Sequence, residues 1–175
     1  MSKITLRQLK QKDIPNMLEW MQDKESRSFF RFSSDAATYE NALNFVQNAQ
    51  IQLMDGKSIH FAITDASDEY LGTISLKNID LQSKNAEYAI ALRKKARGKG
   101  IGHDATCKIL QMAFEQFGLE RVYLNVLSKN QQAIYLYEKM GFVYEGEFRN
   151  HLFLNEEFQS LKWYGMLKEE YYKRK

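Results

Sequence analysis

The stretch AEYAIALRKKARGKGIGHDATCKIL, residues 86–110, changes character twice in 25 positions. From Ala86 to Leu92 it is small, apolar and aromatic apart from Glu87, with Tyr88 and Ile90 at its centre, and reads as a strand. From Ala105 onward the apolar residues Ala105, Ile109, Leu110, Ala113 and Phe117 fall at helical spacing and run to a stop at Gly118. Between the two lie five cations in seven positions, Arg93, Lys94, Lys95, Arg97 and Lys99, and three of the nine glycines, Gly98, Gly100 and Gly102. A strand that leaves through a cationic glycine loop into a helix turns backbone N–H groups toward a small polyanion. A solvated basic turn is the other reading of the composition.

The same segment explains the net charge. The chain has 175 residues, with 25 Lys and Arg against 22 Asp and Glu. Set the five loop cations aside and 20 basic residues face 22 acidic ones, so the remainder lacks the basic face that nucleic-acid binding needs. Cys107 is the one cysteine and cannot form an internal disulfide, which points to a reducing, cytoplasmic compartment. No apolar run approaches the roughly 18 to 20 residues of a membrane span, and Met1-Ser2-Lys3-Ile4-Thr5 lacks a signal-peptide core. The expectation is a soluble, unprocessed single domain over residues 1–175, with no membrane or nucleic-acid partner.

Around the central stretch the hydrophobic period assigns the other elements. Ile4 to Leu9 alternates as a strand, and Asp13-Ile14-Pro15 opens a helix bearing Met17, Leu18 and Met21. Ser33-Ser34-Asp35 offers a helix start after the aromatic cluster Phe29, Phe30 and Phe32. Ala42, Phe45, Val46, Ala49 and Leu53 form one face of a second helix that should stop at Asp55-Gly56. Residues 59–64, 70–76 and 86–92 read as an antiparallel meander. Val122 to Leu127 is a strand, Gln131 to Met140 a helix closed by Gly141, and Phe142 to Glu147 a strand; a hairpin at 155–157 returns through Phe158 to Leu167. The fold class is α/β (α+β), a mixed, mostly antiparallel sheet flanked by helices.

The glycine loop matches neither the dinucleotide fingerprint nor the Walker loop, which would need Gly-Lys-Ser/Thr after four spacers. It does spell Arg97-x-x-Gly100-x-Gly102. At 28 residues after Gly102, behind the strand at 122–127, stands Asn130-x-x-Ala133-x-x-x-Tyr137-x-x-x-Gly141-Phe142. These two motifs, in this order and on these elements, resemble the GNAT superfamily of N-acetyltransferases over nearly the whole chain. Leu136-Tyr137-Glu138, Gly141-Phe142-Val143 and Glu145-Gly146 resemble its branch of ribosomal-protein and spermidine acetyltransferases.

The resemblance implies acetyl-CoA as co-substrate, no metal, and direct attack of a neutral amine on the thioester. It implies a splayed strand pair, with the pantetheine arm along Glu87 to Leu92, contacts at Ile90, Ala91 and Leu92, and the Ile90 N–H facing the oxyanion. The pyrophosphate would lie on the amides of Gly98, Lys99, Gly100, Ile101 and Gly102, with Arg97 and Lys99 adding charge. Asn130 and Tyr137 are seven residues apart on one helix face, and the resemblance casts Tyr137 as the general acid; Asn130 can equally be an N-cap. Tyr135 points elsewhere and is expected to pack. Glu87 is the candidate base, acting directly or through water, or else a surface carboxylate. His103 and Cys107, one turn apart, could form a nucleophile pair, but a buried, inert Cys107 is the expectation.

The acceptor pocket of the resembled family would draw on Trp20, Phe29, Phe30, Arg31 and Phe32, on Glu87, and on His151-Leu152-Phe153-Leu154. A polyamine would use Glu19, Asp23, Glu25 or Asp35. An amino-sugar nucleotide would use Arg27, Arg31 or Arg149. Leu161-Lys162-Trp163, in place of an acidic position, favours a small-molecule amine over a protein N-terminus. A protein N-terminal acetyltransferase and a non-catalytic acyl-CoA-binding regulatory domain are the alternatives, and a homodimer is compatible with the resemblance.

Overall fold

The meander expected from residues 59–92 is the centre of the structure, a computed structural model that describes residues 4–27, 37–49, 51–154 and 156–175. Its strands are β2 (Ile59–Thr64), β3 (Tyr70–Asp80) and β4 (Asn85–Leu92), paired antiparallel in sequence order. Strand β1 (Thr5–Gln8) joins the free side of β2. Beyond β4 come β5 (Arg121–Leu127), β7 (Glu157–Leu167) and β6 (Val143–Leu154), so the sheet order is β1-β2-β3-β4-β5-β7-β6. Only β4 and β5 run parallel among these neighbours. Parallel neighbours need a crossover, and α4 (Ile101–Gln111), entered through the glycine loop, supplies it.

Helices cover both faces. On one side α1 (Ile14–Gln22) and α3 (Tyr39–Asn48) bury Ile14, Met17, Trp20, Ala42 and Val46 against Ala62, Tyr70 and Ala91 of the sheet. Trp20 Nε1 donates to Tyr70 Oη at 3.1 Å, which fixes α1 on β3. On the other side α4 and α5 (Gln131–Met140) bury Ala105, Ile109, Leu110, Ile134, Tyr137 and Met140 against Ile74, Leu76, Tyr88, Val122 and Leu124. Each aliphatic side chain fully buried here contributes about 1.5 to 3 kcal/mol relative to exposure.

Several elements differ from the sequence reading, and β3 runs on to Asp80 rather than ending at Leu76. Helix α3 stops at Asn48, and Ala49 turns extended at ψ 126°. Ala49 packs into the α1–α3 core whereas Leu53 packs onto the opposite one, so a straight helix could not serve both. Phe45 lies outside the core and meets His60 edge-on at 4.7 Å. The helix after the glycine loop widens into a π turn at Met112–Gln116 before Gly118. Strand β6 continues past Glu147 to Leu154, because β7 supplies partners through two register shifts that blur its alternation. A terminal helix α6 (Lys168–Arg174) was not expected: its sequence is mostly charged, and Tyr171 is held by tertiary contact with Phe114 at 5.0 Å. Helix α2 (Lys24–Arg27) is a single turn. The expected helix start at Ser33-Ser34-Asp35 lies outside the described residues; α3 is capped by Thr38, whose Oγ1 accepts from the Asn41 N–H at 3.2 Å.

Candidate active site

The parallel junction is short. Strands β4 and β5 pair only through Asn85↔Arg121, Ala86↔Val122 and Glu87↔Tyr123, while their outer partners follow them on to Leu92 and Leu127. Past Glu87 the two strands therefore part. The backbone parity of β4 follows from one bond, Arg93 N–H to Leu71 O at 2.9 Å. In an antiparallel ladder such pairs alternate, so Ala91 and Ala89 also turn their peptide groups to β3, and Leu92, Ile90 and Tyr88 turn theirs to the gap. The expected Ile90 N–H thus faces the opening between the strands.

A cavity of about 900 Å³ occupies this opening and reaches both faces of the sheet. On the α4–α5 side its lining includes Ile90, Leu92, Gly98, Gly100, Gly102 and Asn130. Gly98 (φ +70°) and Gly100 (φ +77°) are left-handed, and Gly100 is the N-cap of α4 with no side-chain cap on the first turn. That turn can accept an anion at the positive end of the helix. Lys99 is exposed and outside the lining. The side chains of Ile101 and Ala91 are buried in the two cores, so each can offer only its backbone. Arg97 lines the cavity, but its guanidinium donates to Leu92 O (3.1 and 3.2 Å) and to Ser26 Oγ (2.5 Å), tying the loop to the open edge and to α2.

Helix α5 presents Asn130 and Tyr137 to the same cavity. Asn130 is also the N-cap, its Oδ1 accepting from the Ala133 N–H at 3.2 Å, and it caps the helix while lining the cavity. The Tyr137 ring is 7% exposed, edge-on to Tyr88 at 5.8 Å and to Phe142 at 6.0 Å. Burial holds its phenol pKa well above the usual value, so the proton stays on the oxygen. Tyr135 corrects an expectation: it is 68% exposed on the cavity rim rather than packed, because the buried stripe of α5 is Ile134, Tyr137 and Met140.

The opposite mouth is built across strands. Glu87 sits at the vertex of the gap, its side chain 14% exposed. Lys77 Nζ (2.9 Å) and Asn125 Nδ2 (3.1 Å) donate to its Oε1, and Asn78 Nδ2 donates to its Oε2 at 2.8 Å. Asn78 reaches it from a left-handed position (φ +50°) at the irregularity in β3. Trp163, cross-strand partner of Asn125, forms the wall with His151, Leu154 and Leu161. Its ring is stacked on Tyr123 at 6.2 Å and backed by Phe148 at 5.3 Å, and its Nε1 is buried with no partner among the described residues. On the same face His60 Nδ1 lies 2.8 Å from Ser75 Oγ, and burial with the nearby Lys77 charge pulls the His60 pKa down to about 4.

The carboxylates expected to meet a polyamine are engaged elsewhere. Glu19 pairs with Arg93, Glu25 with Lys94 at 3.2 Å, and Asp23 accepts from Ser26, while Asp35, Phe29, Phe30, Arg31 and Phe32 lie outside the described residues. Cys107 is exposed rather than buried, with Sγ 3.9 Å from His103 Nδ1; partial burial and Asp104 raise its thiol pKa, the opposite of an activated nucleophile. Among the described residues no group of His, Cys, Asp or Glu is placed to hold a metal ion, and no helix is long and apolar enough to cross a membrane. The sequence reading missed Lys77, Asn78 and Asn125 as neighbours of the site. Nothing local marks them, since only strand register brings them to Glu87.

A sheet opened at one parallel junction, a glycine-started helix on one side and a tyrosine facing the gap define an acetyl-CoA-dependent N-acetyltransferase. A family model described as the acetyltransferase (GNAT) domain matches residues 3–143, and the chain belongs to that family. It is 27% identical over 173 residues to the spermidine N(1)-acetyltransferase of Vibrio cholerae, covering 99% of this chain and 98% of that one. It is 30% identical over 174 residues to the ribosomal N-acetyltransferase-like YdaF of Bacillus subtilis, covering 96% and 93%. A crystal structure of the Vibrio cholerae spermidine N-acetyltransferase in complex with CoA and spermine has the same fold, with a TM-score of 0.86 at 24% identity and coverage of 97% and 98%.

Proposed function

We propose that this N-acetyltransferase acts on a primary amine of a small molecule, with Tyr137 as general acid and Glu87 receiving the amine. The observation that carries the reading is the cavity through the sheet, which joins Tyr137 on one face to the Glu87 carboxylate at the vertex on the other. Acetyl-CoA supplies an activated acyl group whose sulfur leaves as a thiolate. The open edge of β4 offers the peptide groups of Tyr88, Ile90 and Leu92 to the amide-rich arm, and the Ile90 N–H can donate to the thioester oxygen. The first turn of α4 receives the pyrophosphate while Arg97 keeps the loop in register.

Tyr137 gives up its proton to the departing sulfur, and the proton that the attacking nitrogen sheds on becoming an amide restores the phenol. An unperturbed phenol has a pKa of about 10 and a thiol about 8.5, so the transfer is uphill in water. Inside the cavity a thiolate is desolvated along with the phenolate, which raises its own proton affinity and keeps the gap small. Glu87 attracts the ammonium form of the acceptor and takes its proton directly or through water before attack. Trp163 and its stacked neighbours fit an alkyl chain beside a cation.

The amine is of the class that the Vibrio cholerae relative's name specifies or an amino sugar, and a panel decides. CoA thiol release is measured with polyamines, 4-amino-sugar nucleotides and N-terminal peptides. Release with a small-molecule amine is expected. Release with peptides alone would overturn the reading in favour of a protein acceptor.

A further inference from the structure

An ammonium that approaches the Glu87 carboxylate finds Lys77 already paired with it. The two side chains lie on adjacent strands at the paired position Lys77↔Glu87, with Nζ 2.9 Å from Oε1. Asn125 and Asn78 take two more of the acceptor positions on this carboxylate. Among the described residues that line the cavity, Glu87 is the one carboxylate, and Lys77, Arg97 and Lys139 are the cations. Arg97 and Lys139 lie toward the loop and α5, where the co-substrate carries its phosphates. Lys77 lies at the acceptor mouth with its side chain 36% exposed, its charge carried on a flexible four-carbon stem. Other carboxylates on this sheet have partners of their own: Asp80 on β3 with the Ser83 N–H at 2.7 Å, Glu145 with Arg121, Glu147 with Ser128, and Glu157 with Lys129.

We infer that Lys77 is a specificity-determining residue that makes this mouth prefer acceptors with a single positive charge over polycations. Its ammonium is an internal stand-in for the substrate's. The reacting amine exchanges with it at Glu87 Oε1 or binds beside it at Oε2, and in either case a second cation on the acceptor meets the Lys77 charge with no unengaged carboxylate among the described lining residues. This rests on the reading of Glu87 as the acceptor's anchor. It also separates this site from one that takes polyamines by charge.

The test compares butylamine, 1,4-diaminobutane and spermidine, each as substrate and as inhibitor, for the intact enzyme, Lys77→Met and Glu87→Gln. Removing the like charge while keeping the alkyl stem should lower the KM or Ki of spermidine about 10-fold and that of butylamine less than about 3-fold. The KM for acetyl-CoA and the melting temperature should stay constant, and Lys77→Arg should retain the original preference. An unchanged ratio of spermidine to butylamine in Lys77→Met overturns the proposal, provided Glu87→Gln weakens all three amines. If Glu87→Gln leaves amine binding unchanged, the anchor reading fails and the inference with it. Absence of turnover and inhibition by all three amines in every form overturns it as well.

Discussion

The two mouths of the cavity are built in opposite ways. The mouth proposed for the co-substrate comes from two contiguous runs, Arg97–His103 and Asn130–Tyr137, each a loop feeding a helix. The mouth proposed for the acceptor comes from single residues on five strands: Lys77 and Asn78 on β3, Glu87 on β4, Asn125 on β5, His151 on β6 and Trp163 on β7. The first kind of site is set by backbone conformation at a few glycines and a helix end. The second is set by register, so its chemistry can change by substitution at one strand position while the transfer machinery stays intact. That division accommodates relatives named for different acceptors on one fold.

The sharpest break in this comparison should come from Tyr137→Phe. The ring keeps its packing on Tyr88 and Phe142, so folding should persist while kcat falls about 100-fold or more and both KM values hold. A turnover within a factor of three of the parent would remove Tyr137 from the reaction.

Next in size is Gly100→Val. Nothing lies within 4 Å of the position its Cβ would take, so the cost is purely conformational, about 1 to 2 kcal/mol for a branched residue forced to φ +77°. The KM for acetyl-CoA should rise about 10-fold and the acceptor KM should not. Equal effects on both would show that the two mouths are coupled.

The acceptor face should also carry a pH signature of its own. His60 has its folded-state pKa depressed from 6.5 to about 4, so the folded form stays neutral while an unfolded chain takes up a proton below pH 6.5. Stability present above pH 6.5 is therefore lost as the pH falls toward 4. Allowing for its partial exposure the loss is about 2 kcal/mol. Thermal melts of the parent and His60→Gln from pH 7 to 4.5 check this, and parallel curves would refute it.

The smallest effect should come from Trp163→Phe. Its indole N–H is buried without a partner among the described residues, so removing it should leave stability unchanged or raise it by up to about 1 kcal/mol. The acceptor KM should shift and the acetyl-CoA KM should not. A clear loss of stability would mean that the packing of the indole on Tyr123 and Phe148 outweighs the relief of its N–H.

Much of this is legible in the sequence. Apolar spacing placed α5 at Gln131–Met140 to the residue, and the meander to within a few positions, because each reports its own local period. The same rule failed for α3, whose apolar positions serve two cores, and for α6, which has almost no apolar period and folds onto Phe114. By itself the sequence determined the strand, glycine loop and helix from Ala86 onward, the family, and the pair Asn130 and Tyr137, since those depend on backbone freedom and spacing within one segment. Tertiary structure alone decided that β4 and β5 part after Glu87, that Arg97 turns back to Leu92, and that Lys77, Asn78 and Asn125 close on one carboxylate. Those contacts join residues up to 38 positions apart through strand register, and register is fixed by the packed sheet as a whole rather than by any stretch of chain.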